Sequence, residues 1–481
     1  MSKRFILILL FTFCTRLYHI NFPIAGWHSW RQADTAAIAR NFATENMNIA
    51  YPAIDWRGET PGYVESEFQL YTFIIALLYK LFGIQEIFGR ALSVLCSLLT
   101  VLGLYLLVKK MIDERTALWS VFFYAVLPLS IYYGRAFMPE QMMLMFSVFG
   151  IYFYSQWLDD NSWKHFLASV ACISLAVLLK LPTLYLGLPL LFLSWTKFKF
   201  ALFRQPKIWL FAVIVFVATF AWYYHSHSLK SLTGLTFGIW EMGTDKWGNL
   251  DLLVTFKFYN DVLFKSIAER HFTYPAFVLF VVGLFLKRKS DNERLFDFWL
   301  IAVVVYFLIV AKGNQVHEYY QLPFMLPGVV FLAKPFSRLS DVAATIHFSE
   351  KTTRVVLALF ATATIVLSAL RLVHTFNSER YDTPLFALST SVQQIIPEND
   401  LVIALSNGNP VVLYNAGRKG WNCSTSEINE SYFEEKKRLG ARYFIGEKNL
   451  FFENGAEQQL DFIRNRYEVV IDSAEYLIVR L

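Results

Sequence analysis

The stretch FQLYTFIIALLYKLFGI, residues 68–84, decides how the rest of the chain is threaded. It is apolar enough to enter a bilayer, yet it has only 17 residues and carries Lys80. A helix needs about 20 apolar residues to cross the hydrocarbon core, so this segment reads as a re-entrant or interfacial helix. The candidates for full spans lie elsewhere, at roughly 4–21, 90–108, 116–133, 139–157, 165–180, 183–196, 207–227, 273–286, 295–311, 320–335 and 355–374. Basic clusters mark the cytoplasmic side: Lys3 and Arg4, Lys109 and Lys110, Lys197 to Lys207, Lys287 to Lys289, and Arg338 to Arg354. They alternate correctly only if 68–84 does not cross. About 11 spans are then expected, with residues 22–89 forming one long external loop. The first apolar stretch has no small-x-small cleavage site and carries Arg16 and His19, so it reads as a retained span.

Composition agrees with a membrane setting. Of 481 residues 56% are hydrophobic and only 17% charged, and mean hydropathy is +0.40. Soluble chains carry about 25% charged residues, so a cytosolic enzyme is excluded. The net charge of +6 is accounted for by cytoplasmic loops, and no nucleic-acid partner is expected. Cys14, Cys96 and Cys172 sit in apolar runs and Cys423 stands alone in a polar tail, so no disulfide is expected. The tail reads as a small α/β domain, with strand-like runs at 401–405, 441–446, 467–471 and 475–480 and helical stretches near 384–396, 426–439 and 455–465. The fold expected is an all-α polytopic membrane domain over residues 1–375, followed by a small C-terminal α/β extracytoplasmic domain over 376–481.

Ionisable groups near lipid are costly, so their placement is informative. The first cluster is GWHSWRQADTAAIARNF, 26–42, where helical spacing puts Arg31, Asp34 and Ile38 near one face. An amphipathic helix with Asp34 merely paired to Arg31 is the plain alternative. PGYVESEFQLY, 61–71, brings Glu65 and Glu67 to the other end of the same loop. YYGRAFMPEQMM, 132–143, offers Arg135 and Glu140, readable also as a structural pair. LLKLPTLYL, 178–186, holds Lys180, which could equally snorkel to the interface. KGNQVHEYYQLPFMLP, 312–327, contains His317, Glu318, Tyr319 and Tyr320. The sidedness argument puts all of these on the outer face. Carboxylates beside Lys, Arg and His suit a general base together with cations for an anionic leaving group.

These residues resemble a family. The layout is similar to the GT-C superfamily of membrane glycosyltransferases, nearest the protein O-mannosyltransferase and aminoarabinose-transferase branch. The matches are WRQADTAAIAR after the first span, ESEFQLYTFIIALLYKLFGIQEIFGR, the second outer loop RAFMPE, LLKLPT, HEYYQLP and the tail stretch LYNAGRKGW. Their order and spacing carry the resemblance over roughly residues 5–335. Two departures stand out. The mannosyltransferase branch has an Asp-Glu pair where this chain has Arg31-Gln32, with Asp34 one turn later. The Lys-Pro-Pro element of the aminoarabinose branch is here Glu67-Phe68-Gln69.

The resemblance implies transfer of a sugar from a polyprenyl-phosphate carrier to a hydroxyl acceptor on a glycan, lipid or protein, by one inverting displacement. Asp34 is the expected catalytic base. Arg135, Lys180 and His317, with Arg31, are expected to hold the donor phosphate, and Glu67, Glu140 and Tyr319 to bind substrate or orient the cations. Asp34, Glu67, Glu140 and His317 are hard donors suited to a divalent cation, but no compact ligand motif such as HExxH is present, and no obligatory metal or other cofactor is expected. The expected location is the bacterial inner membrane, with the N-terminus cytoplasmic and the active site and tail outside. A multi-span transporter or flippase of a lipid-linked sugar is the alternative. It would need polar groups near the midplane and usually two related halves, and no internal repeat is visible.

Overall fold

The computed structural model describes residues 2–238, 246–377 and 383–481. The apolar stretches are helical. In the first half they are α1 (Lys3–Leu17), α4 (Ile87–Met111), α5 (Glu114–Val126) with α6 (Pro128–Tyr133), α7 (Glu140–Asp160), α8 (Trp163–Leu179), α9 (Gly187–Phe198) and α10 (Pro206–Thr233). Between them lie two helices of the segment 22–89, α2 (Ser29–Thr44) and α3 (Leu70–Phe82). Later apolar helices are Tyr274–Phe285, Leu295–Ile309, Met325–Ser337 and Glu350–Asn377.

Among the described helices four are long and apolar enough to cross a membrane: α4, the run Leu181–Arg204 that includes α9, α10, and Glu350–Phe376. The rest are shorter, more polar or interrupted, so length and composition by themselves single out four of the expected eleven crossings. Exposed side chains such as Phe216, Val217 and Phe220 on α10, and Leu359, Val366 and Leu370 on the last of the four, form apolar bands. Bands of that extent suit lipid rather than water. The chain is a multi-pass membrane protein. The 13 residues of α3 span about 20 Å at 1.5 Å per residue, too little for a crossing.

Contacts divide the chain into two compact units. The first comprises the described residues of Met1–Ile20, Arg90–Tyr223 and Trp240–His374. Here α5 stops at Val126 because Pro128 has no N–H to continue the ladder, and α6 restarts at Pro128. The carbonyls left open are met by a fully buried arginine of α1. Arg16 donates to the Tyr124 and Ala125 carbonyls at 3.4 and 3.5 Å, to Ser130 Oγ at 2.9 Å and to Ser97 Oγ of α4 at 2.8 Å. Gly134 makes room for it, since a Cβ there would lie 2.5 Å from Arg16 Nε. Elsewhere in this unit a buried carboxylate, Glu293, binds Lys334 at 2.8 Å and Arg338 at 2.6 Å.

The second unit comprises the described residues of Asn21–Gly89, Tyr224–Ile239 and Thr375–Leu481. Its sheet has the order β2-β1-β3-β5-β4, from β1 (Leu401–Leu405), β2 (Gly420–Cys423), β3 (Ala441–Glu447), β4 (Glu468–Asp472) and β5 (Tyr476–Arg480). β1 is parallel to β2 and β3, while β5 is antiparallel to β3 and β4. Ile403, Phe433, Phe444, Phe451, Leu460 and Leu477 fill the core on which helices Glu430–Arg438 and Glu457–Arg466 pack. β2 was absent from the sequence expectation because GWNC is short, begins with glycine and shows no alternation. It is a strand through its pairing with β1. A Cβ on Gly420 would lie 1.8 Å from the Val402 carbonyl oxygen, so that pairing demands glycine.

Contacts group the described residues of Asn21–Gly89 with those of the tail. The main chain of the former binds the sheet edge, through Gly58 N–H to the Gly420 carbonyl at 2.7 Å and Gly420 N–H to the Asp55 carbonyl at 3.1 Å. The four cysteines carry free thiols, and Cys423 is buried in the tail core.

Candidate active site

Helix α2 organises one half of the candidate residues. It follows His28, whose backbone is left-handed at φ 51°. Twelve of its 16 residues are buried, so the helix is enclosed, unlike the amphipathic helix of the plain alternative. Alanines at 33, 36, 37 and 39 let neighbours approach closely, and its polar groups must find partners inside the protein. Arg31 pairs with Glu67 at 3.2 Å and lies over the Phe237 ring. Gln32 donates to the Trp27 carbonyl and Thr35 to the Arg31 carbonyl.

Asp34, one turn beyond Arg31, is 3% exposed and accepts a 2.9 Å hydrogen bond from Trp56 Nε1. Burial pushes its carboxyl up to about 7. The Trp56 bond and the Arg31 charge pull it back, while the nearby Asp55 carboxylate pushes it further up. A carboxylate that titrates near neutrality in a buried site is suited to general-base work.

Further along α2, Arg40 and Asn41 hold Asp55, a residue the sequence reading passed over. Asp55 is 1% exposed and bound by Arg40, by Asn41 Nδ2 at 3.1 Å and by Lys419 from the tail. Burial opposes its ionisation, but these cations outweigh it and hold its carboxyl below the usual range. Lys419 also lies 3.3 Å from Glu45. The LYNAGRKGW stretch therefore has a visible task. Tyr414 accepts Arg40 on its carbonyl at 2.9 Å and donates its hydroxyl to Glu86 at 2.9 Å, and Asn415 donates to the Ile24 carbonyl at 3.2 Å. The sequence marked this stretch only through the family resemblance and gave no sign of its partners.

The other candidates belong to the first unit. Arg135 is fully buried in the turn after α6, donates to the His19 carbonyl at 3.4 Å and lies over the Tyr132 ring. Glu140 opens α7, where an acidic residue favours the helix N-terminus. Its ion partner is Lys180 at 3.1 Å, not Arg135 as the plain sequence reading had it. Lys180 ends α8 in an extended conformation and reaches over the rings of Tyr319 and Tyr320 at 5.5 and 5.2 Å. It is an inward-facing cation, not one snorkelling to the interface. His317 stacks on Tyr319 at 5.4 Å. Beside them Glu318 accepts the Tyr133 hydroxyl at 2.9 Å and lies 3.8 Å from Arg270, while His271 Nε2 is 3.1 Å from its carbonyl. Glu318 was visible in its motif, but its partners are far apart in sequence and left no signal.

Thus the structure brings together Arg31 with Glu67, and Lys180 with Glu140 and Tyr319. Of the hard donors considered for a divalent cation, Asp34 and Glu67 belong to the second unit and Glu140 and His317 to the first. Among the described residues no three His, Cys, Asp or Glu side chains gather as a metal site.

Residues 69–225 match a family described as dolichyl-phosphate-mannose-protein mannosyltransferase. An uncharacterized protein of Aquifex aeolicus (strain VF5) is 26% identical over 258 residues, covering 51% of this chain. That match takes in 54% of the relative, so the chain spans about half its length. Among solved structures, ArnT from Cupriavidus metallidurans, bound to undecaprenyl phosphate, has a TM-score of 0.63 at 12% identity. It covers 99% of this chain and 97% of its own. The oligosaccharyltransferase AglB from Archaeoglobus fulgidus, in complex with an inhibitory peptide and a dolichol-phosphate, has a TM-score of 0.59 at 13% identity, over 97% of this chain and 72% of its own. In its fold, and in the stretch that matches the mannosyltransferase family, this chain resembles the GT-C superfamily of membrane glycosyltransferases.

Proposed function

We propose that the chain transfers a sugar from a polyprenyl-phosphate donor to a hydroxyl acceptor on the outer face of the membrane. The observation that carries this reading is Asp34, a buried carboxylate titrating near neutrality. A carboxylate has about four lone-pair sites, and Trp56 occupies one, which leaves the group able to take a proton. In the proposed step the acceptor oxygen attacks the anomeric carbon from the face opposite the phosphate. Asp34 takes the hydroxyl proton, the bond from the anomeric carbon to the phosphate oxygen breaks, and the electron pair leaves on the phosphate. Arg135, Lys180, His317 and Arg31 are assigned to that departing charge. Glu67 and Glu140 orient two of these cations through the pairs described, and Tyr319 lies under the Lys180 ammonium. The undecaprenyl phosphate of the ArnT structure and the dolichol-phosphate of the AglB structure support a donor of this class. The proposal includes eleven crossings, a cytoplasmic N-terminus and an external tail, in a bacterial inner membrane.

The test supplies the purified chain in lipid with a panel of polyprenyl-phosphate sugars and measures release of the polyprenyl phosphate. Asp34→Asn is expected to lose about 10²–10⁴-fold in turnover, and chelation by EDTA to leave the wild-type rate unchanged. Wild-type turnover in the Asn variant would remove Asp34 from its role. A solute or lipid crossing proteoliposomes while no donor is consumed would establish the transporter or flippase reading instead.

A further inference from the structure

We infer that Lys419 of the tail is a positioning residue for Asp34, acting through the loop segment Asp55–Gly58. The inference rests on the proposed role of Asp34 as the base. The connection is short and complete within one compact unit. Asp55 and Trp56 are sequence neighbours, so what holds one places the other. Trp56 donates to Asp34 and packs beside Phe237. Asp55 is held by Lys419, Arg40 and Asn41. The main chain of the same segment is held at both ends by Gly420, which donates to the Asp55 carbonyl and accepts from Gly58. Trp421 closes over Gly58 so tightly that a Cβ there would lie 2.6 Å from the indole nitrogen. Three consecutive tail residues, Lys419 to Trp421, therefore grip the four-residue segment that presents the Trp56 indole.

A lesser bond would not need this. Lys419 is largely withdrawn from water, at 18% side-chain exposure, and burial lowers its pKa despite the Asp55 carboxylate. A surface ion pair avoids that desolvation. The cost is met because the pair fixes where the segment sits, and catalytic geometry is sensitive to shifts of about 1 Å.

The experiment is a double-mutant cycle on the full chain in lipid, with Lys419→Met, Trp56→Phe and the two combined, each normalised to folded protein. Lys419→Met is expected to lower kcat about tenfold while KM for the lipid donor stays within about twofold. In the Trp56→Phe background the same change is expected to cost no more than about twofold, because the indole it positions is gone. Lys419→Arg is expected to restore most of the rate. Losses that multiply, or a wild-type kcat in Lys419→Met, would overturn the inference. Should Lys419→Met fail to accumulate, Lys419→Gln enters the same cycle. Amide hydrogen exchange over residues 55–58 separates the two levels of the proposal. Faster exchange in Lys419→Met with no donor consumed by any variant keeps the grip and removes the transferase reading, whereas unchanged exchange removes the grip itself.

Discussion

Asp34 combines two properties that oppose one another. Its folded pKa, about 7, lies above the ordinary aspartate value of 3.8. The unfolded chain therefore releases this proton near pH 4 and the folded chain only near pH 7. Between those values the folded state binds more protons, so stability falls as pH rises, and the full cost is present above pH 7. Asn at this position accepts the same Trp56 hydrogen bond without any charge to bury. Asp34→Asn is expected to raise the thermal midpoint, by a gain on the order of 1–4 kcal/mol at pH 8 and almost none at pH 4, while turnover falls about 10²–10⁴-fold. Equal midpoints at pH 8 would contradict the burial argument. The wild-type rate is expected to fall about tenfold per unit below pH 7, as the base is protonated. The candidate Asp34 was legible in the sequence because an acid in WRQADTAAIAR stands out against lipid-facing surroundings. Its tuning was not, because Trp56 and Asp55 lie in a loop of no pronounced pattern, 22 and 21 residues away.

At the scale of elements, the break between α5 and α6 is maintained by Arg16. Pro128 withholds the N–H that would have met the Tyr124 carbonyl, and the guanidinium supplies donors in its place. Arg16→Met is expected to destabilise the protein by about 1–3 kcal/mol for the buried carbonyls left without donors. Adding Pro128→Ala returns an N–H and is expected to recover part of that loss in thermal unfolding in detergent. Recovery of nothing would mean that Arg16 serves mainly its serine partners. Arg16 was noticed in the sequence only as an argument against a cleaved leader. Its partners, Ser97, Tyr124 and Ser130, are 81 to 114 residues distant, beyond the reach of any periodicity. The helices themselves were legible because twenty-residue apolar runs admit little else. So were four of the five strands, whose β-branched runs contrast with polar flanks. The fifth, β2, owes its conformation to its neighbour.

At the scale of the molecule, the small α/β domain expected of the tail lies in a compact unit assembled from three separated parts of the chain. Composition marks the tail as polar, but it carries no record of the surface against which a polar segment packs. Sidedness remains open to a direct measurement. Cys423, the natural tail thiol, is buried, so the probe site is better placed at Ser426, which is exposed. Ser426→Cys in a chain whose Cys14 is replaced by Ser is expected to react with a membrane-impermeant maleimide added outside intact cells. Reaction only in inverted vesicles would reverse the topology.

The grip of Lys419 on Asp55 joins residues 364 positions apart, and that separation is also an interval of time. A ribosome adding roughly 5–20 residues per second finishes the segment 22–89 roughly 20–70 s before Lys419 exists. Throughout that interval Asp55 and Arg40 are without their third partner, the Trp56 segment has no sheet edge to hold it, and a nascent chain already threaded into the membrane is catalytically immature. On the proposed reading, competence would then arrive only once Lys419 has been translated, so that a product stalled before it inserts without the grip on the Trp56 segment.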